Sequence, residues 1–282
     1  MKRSLIFLGL IAVLYAVFPL SLCAEKPFVQ RVNSVLLDGY IGQKYNQCLE
    51  RRVKTENLDT LISVFRVQDE VNNAWGSEFW GKWVQGAIGM YRYTHDEQLY
   101  NIIQQAQERL IACQLPNGYI GDYDEEHQLA GWDVWGRKYT ILGLLKWYHE
   151  TGYKPSLHAA IRLLDYTLTQ IGPGKKSIIL CGYYMGMPPC SILEPVLMMY
   201  QTTHNERYLQ FAKYIVEEIE STQGPRLIAK ADEPVAKRFP LSSLSDWWSA
   251  KNGQKAYEMM SCYIGMLELF RETGENQLLQ AA

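Results

Sequence analysis

The sequence carries no excess of charge of either sign. Its 282 residues include 28 Lys and Arg against 30 Asp and Glu, a formal net charge of −2. Without a basic surface, we expect no binding to nucleic acid or to an anionic membrane. Hydrophobic residues make up 48% of the chain and charged residues 21%, which excludes intrinsic disorder and indicates a folded globular protein.

Long hydrophobic runs are absent beyond the first 22 residues. A positive start at Lys2 and Arg3 is followed by an uncharged apolar run at 4–22 and then by Cys23. This layout predicts a secretory signal peptide at 1–24. An uncleaved anchor and a lipidated cysteine are the competing interpretations. We therefore expect a secreted or periplasmic protein with no membrane span after cleavage.

Cysteine is sparse in the predicted mature chain, 25–282. The number left is odd and the spacings are wide: Cys48, Cys113, Cys181, Cys190 and Cys262. A chain of this length can build a core without a disulfide framework. Because the number of cysteines is odd, at least one thiol is free, metal-bound or paired with another chain. Small buried hydrophobes are the default interpretation for most of them.

Alternating strand patterns are scarce as well, and only 176–181 and 226–230 resemble short strands. Apolar residues instead recur at helical spacing, with Gly, Pro and Asn between the runs. We therefore predict an all-α chain with helices at 33–48, 58–66, 79–93, 97–114, 133–151, 156–169, 191–202, 207–221 and 255–272.

A repeat underlies this helical pattern. Each copy has an aromatic residue, then Thr three positions later, then His or Gly, and a leucine shortly after. The copies are Tyr91/Thr94/His95/Leu99, Tyr148/Thr151/Gly152/Leu157, Tyr200/Thr203/His204/Leu209 and Phe270/Thr273/Gly274/Leu279. The threonines are 57, 52 and 70 residues apart, enough for two helices per unit. We predict stacked helical hairpins in an (α/α)6-toroid-like fold, incomplete because the last copy is cut short at Ala282.

Aromatic residues make up 12% of the chain and cluster in the long connections between hairpins. The first connection and the helix start after it hold three tryptophans, one carboxylate and one lysine, namely Trp75, Trp80, Trp83, Glu78 and Lys82. They could form a sugar-stacking platform with a polar partner, and Trp80 and Lys82 are the candidate substrate-binding residues. An aromatic mini-core over the helix end is the equally weighted alternative.

The second connection and the helix after it place several reactive side chains together. Trp132, Trp135, Arg137 and Lys138 crowd around Asp133, whose position at a helix start suits a simple cap, and Tyr119 lies earlier in the same connection as a candidate substrate-binding residue. Capping alone does not explain the crowding. A buried Asp133 and Arg137 pair would be either a proton-transfer element or a structural ion pair.

The last two connections each lead to a glutamate. Glu194 stands among apolar residues and is a candidate general acid, with a solvated first-turn glutamate as the commoner alternative. Glu258 and Cys262 are four apart on one helix face and could share a metal ion. Two ligands do not close a metal site, so on spacing alone coincidence is the better interpretation.

At these motifs the sequence resembles glycoside hydrolase family 127, the β-L-arabinofuranosidase-like enzymes, from about residue 28 to 282. The resemblance is carried by Gly81-Lys82-Trp83, by 113–120, by 132–145, by Glu194 ahead of Tyr200-x-x-Thr203, and by 257–265. It implies a catalytic (α/α)6 barrel that hydrolyses terminal arabinofuranose and related sugars of glycans.

The resemblance also implies a cysteine nucleophile, a glutamate acid/base and a zinc ion held by a glutamate and cysteines. Cys262 matches the first zinc-ligating cysteine of the family, whereas the family's glutamate two residues earlier is Met260 here. Glu258 is the candidate replacement, and the acid/base motif has no clear match between 222 and 246. The nucleophile lies beyond residue 282 in the family, so weak or absent hydrolysis is expected of this chain.

Two other functions stay open from the sequence. One is non-catalytic sugar binding by a degenerate fragment. The other is a different enzyme on the same toroid, such as an unsaturated uronyl hydrolase or a sugar epimerase, whose activity would depend on Asp133.

Overall fold

The structure is a computed structural model that describes residues 35–69, 75–234, 237 and 255–282. The predicted signal peptide at 1–24 lies outside these residues. Within the described ranges, no helix is both long and apolar enough to cross a membrane.

The described part of the chain is helical, which confirms the all-α prediction. The α-helices are α1 Gly39–Cys48, α2 Leu58–Val67, α3 Ser77–Thr94, α4 Glu97–Ile111, α5 Asp133–Thr151, α6 Lys154–Gln170, α7 Met187–Cys190, α8 Leu193–Thr203, α9 Glu206–Glu220, α10 Ala256–Thr273 and α11 Asn276–Ala281. A π-helical turn, Leu49–Val53, continues α1. All nine predicted helices exist, and the bounds of α5 match the prediction.

Neither strand candidate forms a strand. Lys176 makes only an isolated bridge with Ile171, and the chain then enters a 3-10 helix at Ile178–Leu180. The segment 226–230 is a turn, in which the Arg226 amide donates to the Ile219 carbonyl at 2.8 Å. In the described ranges neither segment has a neighbouring strand to pair with.

The sequence repeat corresponds to a recurrent helix ending. In each copy the His or Gly after the threonine takes a left-handed conformation, with φ of 51° at His95 and 73° at Gly152. Its amide donates to the carbonyl of the aromatic residue four positions earlier, as His95 does to Tyr91 at 2.7 Å. The threonine hydroxyl accepts from the amide two residues on and donates back to its own helix, as Thr94 does to Met90. These bonds satisfy the last carbonyls of each helix and reverse the chain.

The leucine of the repeat is fully buried in one copy only. Leu99 is fully buried, whereas Leu279 is 47% exposed and its neighbour Leu278 is buried. The buried position is five residues after the threonine, and the second and third copies place Ser156 and Tyr208 there. In the other three copies the leucine comes six residues after the threonine and so lies one position past the buried one.

The hairpins stack so that α3 packs on α5, α5 on α8, and α8 on α10. Glycine permits the closest of these contacts, since a Cβ at Gly81 would lie 2.4 Å from the Tyr139 carbonyl oxygen. The row of helices also curves, as shown by the Tyr257 hydroxyl of α10, which lies 2.5 Å from the Tyr139 hydroxyl of α5. This curvature brings the starts of α3, α5 and α10 around one pocket.

Candidate functional site

The starts of these helices enclose a pocket of about 550 Å³, within the range of small-molecule sites. All four long connections or the helix starts after them contribute to it, as expected for loops on a rigid scaffold. Its lining residues are Trp75, Glu78, Lys82, Trp132, Trp135, Tyr183, Tyr184, Lys255, Tyr257 and Glu258.

One wall is organised by Glu78 in the first turn of α3. One carboxylate oxygen accepts from the Lys82 ammonium at 2.9 Å, and the other accepts from the indole N–H of Trp135. The Lys82 ammonium also lies 5.1 Å from the centre of the Tyr139 ring and 5.2 Å from that of Tyr257. Lys82, Trp135 and Glu78 thus form one connected wall of the pocket.

A second part of the lining is Glu258, in the first turn of α10. This residue is only 3% exposed, and its Oε2 atom has no hydrogen-bond partner among the described residues. The ammonium of Lys255 lies 3.9 Å from Oε1. Because an unpaired buried carboxylate oxygen is costly, this atom indicates a missing donor beside the pocket.

Aromatic rings cover the third side. Trp132 contacts Trp135 edge to face at 5.8 Å, and Tyr183 and Tyr184 at 5.8 and 5.9 Å. Tyr183 is 43% exposed, so part of this aromatic surface is open to a ligand. Flat, partly exposed rings beside polar groups suit the apolar faces of a sugar.

Asp133 is not at the pocket, and the structure places it in a closed buried network. Its carboxylate accepts from Arg137 at 2.6 and 3.1 Å, from the Tyr119 hydroxyl at 2.8 Å and from the Leu129 amide at 2.8 Å. Arg137 further donates to Gln170 at 2.6 Å. Asp133, Arg137 and Tyr119 are at most 1% exposed. Asp133, Arg137 and Tyr119 therefore lie outside the pocket lining and are engaged with one another, which argues against the predicted catalytic role of Asp133 and the predicted substrate contacts of Arg137 and Tyr119.

Trp80 does not line the pocket, contrary to its predicted place in a sugar-stacking platform. It is fully buried in the hydrophobic core, and a Cβ at Gly143 would meet its ring at 2.6 Å. Trp80 therefore packs α3 against α5 and cannot stack on a sugar. Trp132, Trp135 and Lys82 do line the pocket, as the substrate-binding prediction for them requires.

Glu194 is not among the residues that line the pocket. Its carboxylate is 4.0 Å from the buried ammonium of Lys138, which stacks 4.7 Å from the Trp135 ring. Burial lowers the pKa of Lys138 to about 8, against the opposing effect of Glu194. With its carboxylate directed to Lys138, Glu194 does not fit a general acid acting on a pocket ligand.

The predicted zinc ligands Glu258 and Cys262 lie one turn apart on α10. Cys262 is fully buried, its thiol donates to the Met187 carbonyl at 3.3 Å, and burial raises its pKa to about 12. Among the described residues, no three His, Cys, Asp or Glu side chains come together. Two donors do not complete the four ligands that a zinc ion takes. Zinc binding by the chain stays a prediction.

Several pocket residues were missed from the sequence, namely Tyr183, Tyr184, Lys255 and Tyr257. Glu78 was part of the predicted sugar-stacking platform, but its contact with Trp135 was not foreseen. Position could have found Lys255 and Tyr257, which flank Glu258 at a helix start. The two tyrosines after Gly182 had no such signal.

Comparison with known families adds to this geometry. The profile of the β-L-arabinofuranosidase GH127 catalytic domain matches residues 25–282, nearly the whole chain. The chain belongs to the GH127 family. No curated protein sequence is significantly similar to it.

Solved GH127 structures have the same fold. The GH127 β-L-arabinofuranosidase of Geobacillus stearothermophilus T6 superposes with a TM-score of 0.58 at 20% identity, over 85% of this chain and 40% of that chain. A second GH127 β-arabinofuranosidase gives 0.56 at 18% identity, over 84% and 37%. A protein described as a glycoside hydrolase gives 0.52 at 18% identity, over 88% and 34%. The chain thus spans less than half the length of these relatives.

Proposed function

We propose that the aromatic pocket binds a sugar residue of a glycan. We further propose that the chain provides this sugar-binding site in a secreted glycoside hydrolase of the GH127 type. The observation that carries this proposal is the unpaired Oε2 atom of Glu258, buried in the wall of an aromatic pocket. A sugar hydroxyl would supply the missing hydrogen bond.

The pocket offers complementary groups for a neutral sugar. The Lys82 ammonium donates one hydrogen bond to Glu78 and has two further N–H groups to donate. Glu258 offers an acceptor elsewhere in the lining. The rings of Trp132 and Tyr183 provide apolar surface between them. A sugar combines hydroxyls that both donate and accept with an apolar face, so it matches all three.

For hydrolysis, Glu258 is the pocket carboxyl group that we assign to protonation of the leaving oxygen. Glu78 is less suited, because both of its oxygens already accept hydrogen bonds. Among the described residues we assign no nucleophile, since Cys262 is buried and its raised pKa keeps it a thiol. We therefore expect binding with little or no turnover by the 282-residue chain.

Calorimetric titration with methyl β-L-arabinofuranoside tests the binding. We expect Glu258→Gln to weaken affinity about tenfold, because the amide replaces one acceptor oxygen with a donor. Glu125→Gln makes the same charge change at an exposed position outside the pocket and should have no effect. Equal affinities for wild type and Glu258→Gln would refute the role of this oxygen.

Hydrolysis is tested separately with an aryl β-L-arabinofuranoside. Turnover that is abolished by Cys262→Ala and by chelation would contradict the expectation of weak activity. Activity without metal that depends on Asp133 would instead favour another toroid enzyme, which the buried position of Asp133 argues against.

Non-catalytic sugar binding is the second candidate, favoured by the full burial of Cys262, whose thiol donates to the Met187 carbonyl. Binding that survives Glu258→Gln and Cys262→Ala but is lost in Trp132→Ala would support it.

Secretion is tested by the N-terminal residue of the protein recovered from the culture medium, which we expect to be Glu25.

A further inference from the structure

Glu78 holds two elements of the pocket wall at once. It is 13% exposed and lies in the first turn of α3, where an acid needs no partner beyond the helix dipole. Yet both oxygens are used, one by Lys82 of the same helix and one by the indole N–H of Trp135 on α5. The carboxylate therefore ties the pocket ends of two packed helices together.

The Lys82 ammonium is fixed from the other side by aromatic rings. Its nitrogen lies 5.9, 5.1 and 5.2 Å from the ring centres of Trp135, Tyr139 and Tyr257. Each distance is within the range of a cation–π contact. The hydroxyls of Tyr139 and Tyr257 are 2.5 Å apart, which closes the group around Lys82. A flexible lysine is thus held in one position with two donors left over.

We propose that Glu78 is a positioning residue that sets the hydroxyl selectivity of the pocket. It acts through Lys82, whose ammonium it holds as a fixed donor, and through Trp135, whose ring plane it fixes at the indole nitrogen. This inference rests on the proposed function. A site built to hydrogen-bond a hydroxyl rejects an analogue without it, because the donor is then left unpaired.

Loss of the carboxylate would release both partners. The ammonium would keep its rings but lose its charge partner, and the buried indole N–H would lose its acceptor. A donor that can move out to water no longer penalises a ligand without the matching hydroxyl. Selectivity among sugars should therefore fall more than affinity for the best sugar.

The test compares Glu78→Ala and Glu78→Gln with the control Glu97→Gln. Glu97 is likewise a first-turn acid, of α4, but is exposed and outside the pocket. The first readout is the indole N–H resonance of Trp135, assigned with Trp135→Phe. We expect it to move upfield in Glu78→Ala, to move less in Glu78→Gln, and to stay in Glu97→Gln.

The second readout is the affinity for methyl β-L-arabinofuranoside relative to each of its monodeoxy analogues. In the wild type we expect at least one analogue to bind about tenfold more weakly, and in Glu78→Ala we expect that ratio to approach one. A ratio unchanged in Glu78→Ala, or an unmoved indole resonance, would overturn the inference.

The two readouts separate this inference from the proposed function. If the wild type binds none of these sugars, the proposed function fails and the selectivity role fails with it, while the indole resonance still reports the contact with Trp135. If all variants bind with normal affinity and normal selectivity, the pocket function stands and the positioning role is refuted.

Discussion

The buried pair of Asp133 and Arg137 allows the sharpest prediction about stability. Both side chains are 0% exposed, and two hydrogen bonds of 2.6 and 3.1 Å join them. Asp133→Asn keeps the shape of the side chain but leaves the guanidinium of Arg137 without a counter-charge. Removing one partner of a buried pair typically costs about 3–5 kcal/mol. We expect the free energy of unfolding to fall by about that amount.

A double-mutant cycle with Arg137→Met isolates the interaction. We expect the double variant to lose less stability than the sum of the single variants, with a coupling of about 2 kcal/mol. Urea denaturation followed by far-ultraviolet circular dichroism measures each value. The sugar affinity of folded Asp133→Asn should equal that of the wild type. An Asp133→Asn protein of normal stability that had lost sugar binding would refute the structural assignment.

Three further predictions concern packing, pH and helix ends. Gly81→Ala should destabilise the protein by about 1–3 kcal/mol in thermal unfolding, because the new Cβ would lie 2.4 Å from a backbone oxygen of α5. The control Gly86→Ala, whose Cβ would have no atom within 4 Å, should be neutral or stabilising. Equal effects of the two substitutions would contradict the packing of α3 on α5. Burial raises the pKa of Asp122 from 3.8 to about 6. The folded state therefore binds this proton more tightly, so stability should fall by about 2 kcal/mol as pH rises from 4 to 6, out of about 3 kcal/mol over the whole titration. Urea titrations should show this dependence vanish in Asp122→Asn, and its persistence there would assign it to another group. His204→Gly should raise the free energy of unfolding by up to about 1 kcal/mol, and with it the melting temperature, because φ is 53° at this helix end; a loss of stability would show that the imidazole contributes more than the strain.

The sequence predicted the helices and the hairpin endings well, for physical reasons visible in the structure. The threonine and the left-handed residue after it are required by each helix end, so they recur in every copy. The position of the pocket also followed from the sequence, because the described ends of the long connections and the helix starts after them meet there.

The division between core and pocket residues was harder to predict. Trp80 and Trp132 both come near a helix start, but only the first continues the buried stripe with Val84 and Ile88. Asp133 was ambiguous because a catalytic acid and a buried ion pair have the same sequence spacing. The unpaired oxygen of Glu258 depends on the packing of α10 against its neighbours, which no local pattern reveals.

The most direct test of the central claim is a map of sugar contacts on the tryptophan indoles. Titration of the 15N-labelled chain with methyl β-L-arabinofuranoside should shift the indole resonances of Trp132 and Trp135, which line the pocket. The resonances of Trp80 and Trp147, both fully buried in the core, should stay in place. Shifts confined to other tryptophans, or no shifts at millimolar sugar, would contradict sugar binding in this pocket.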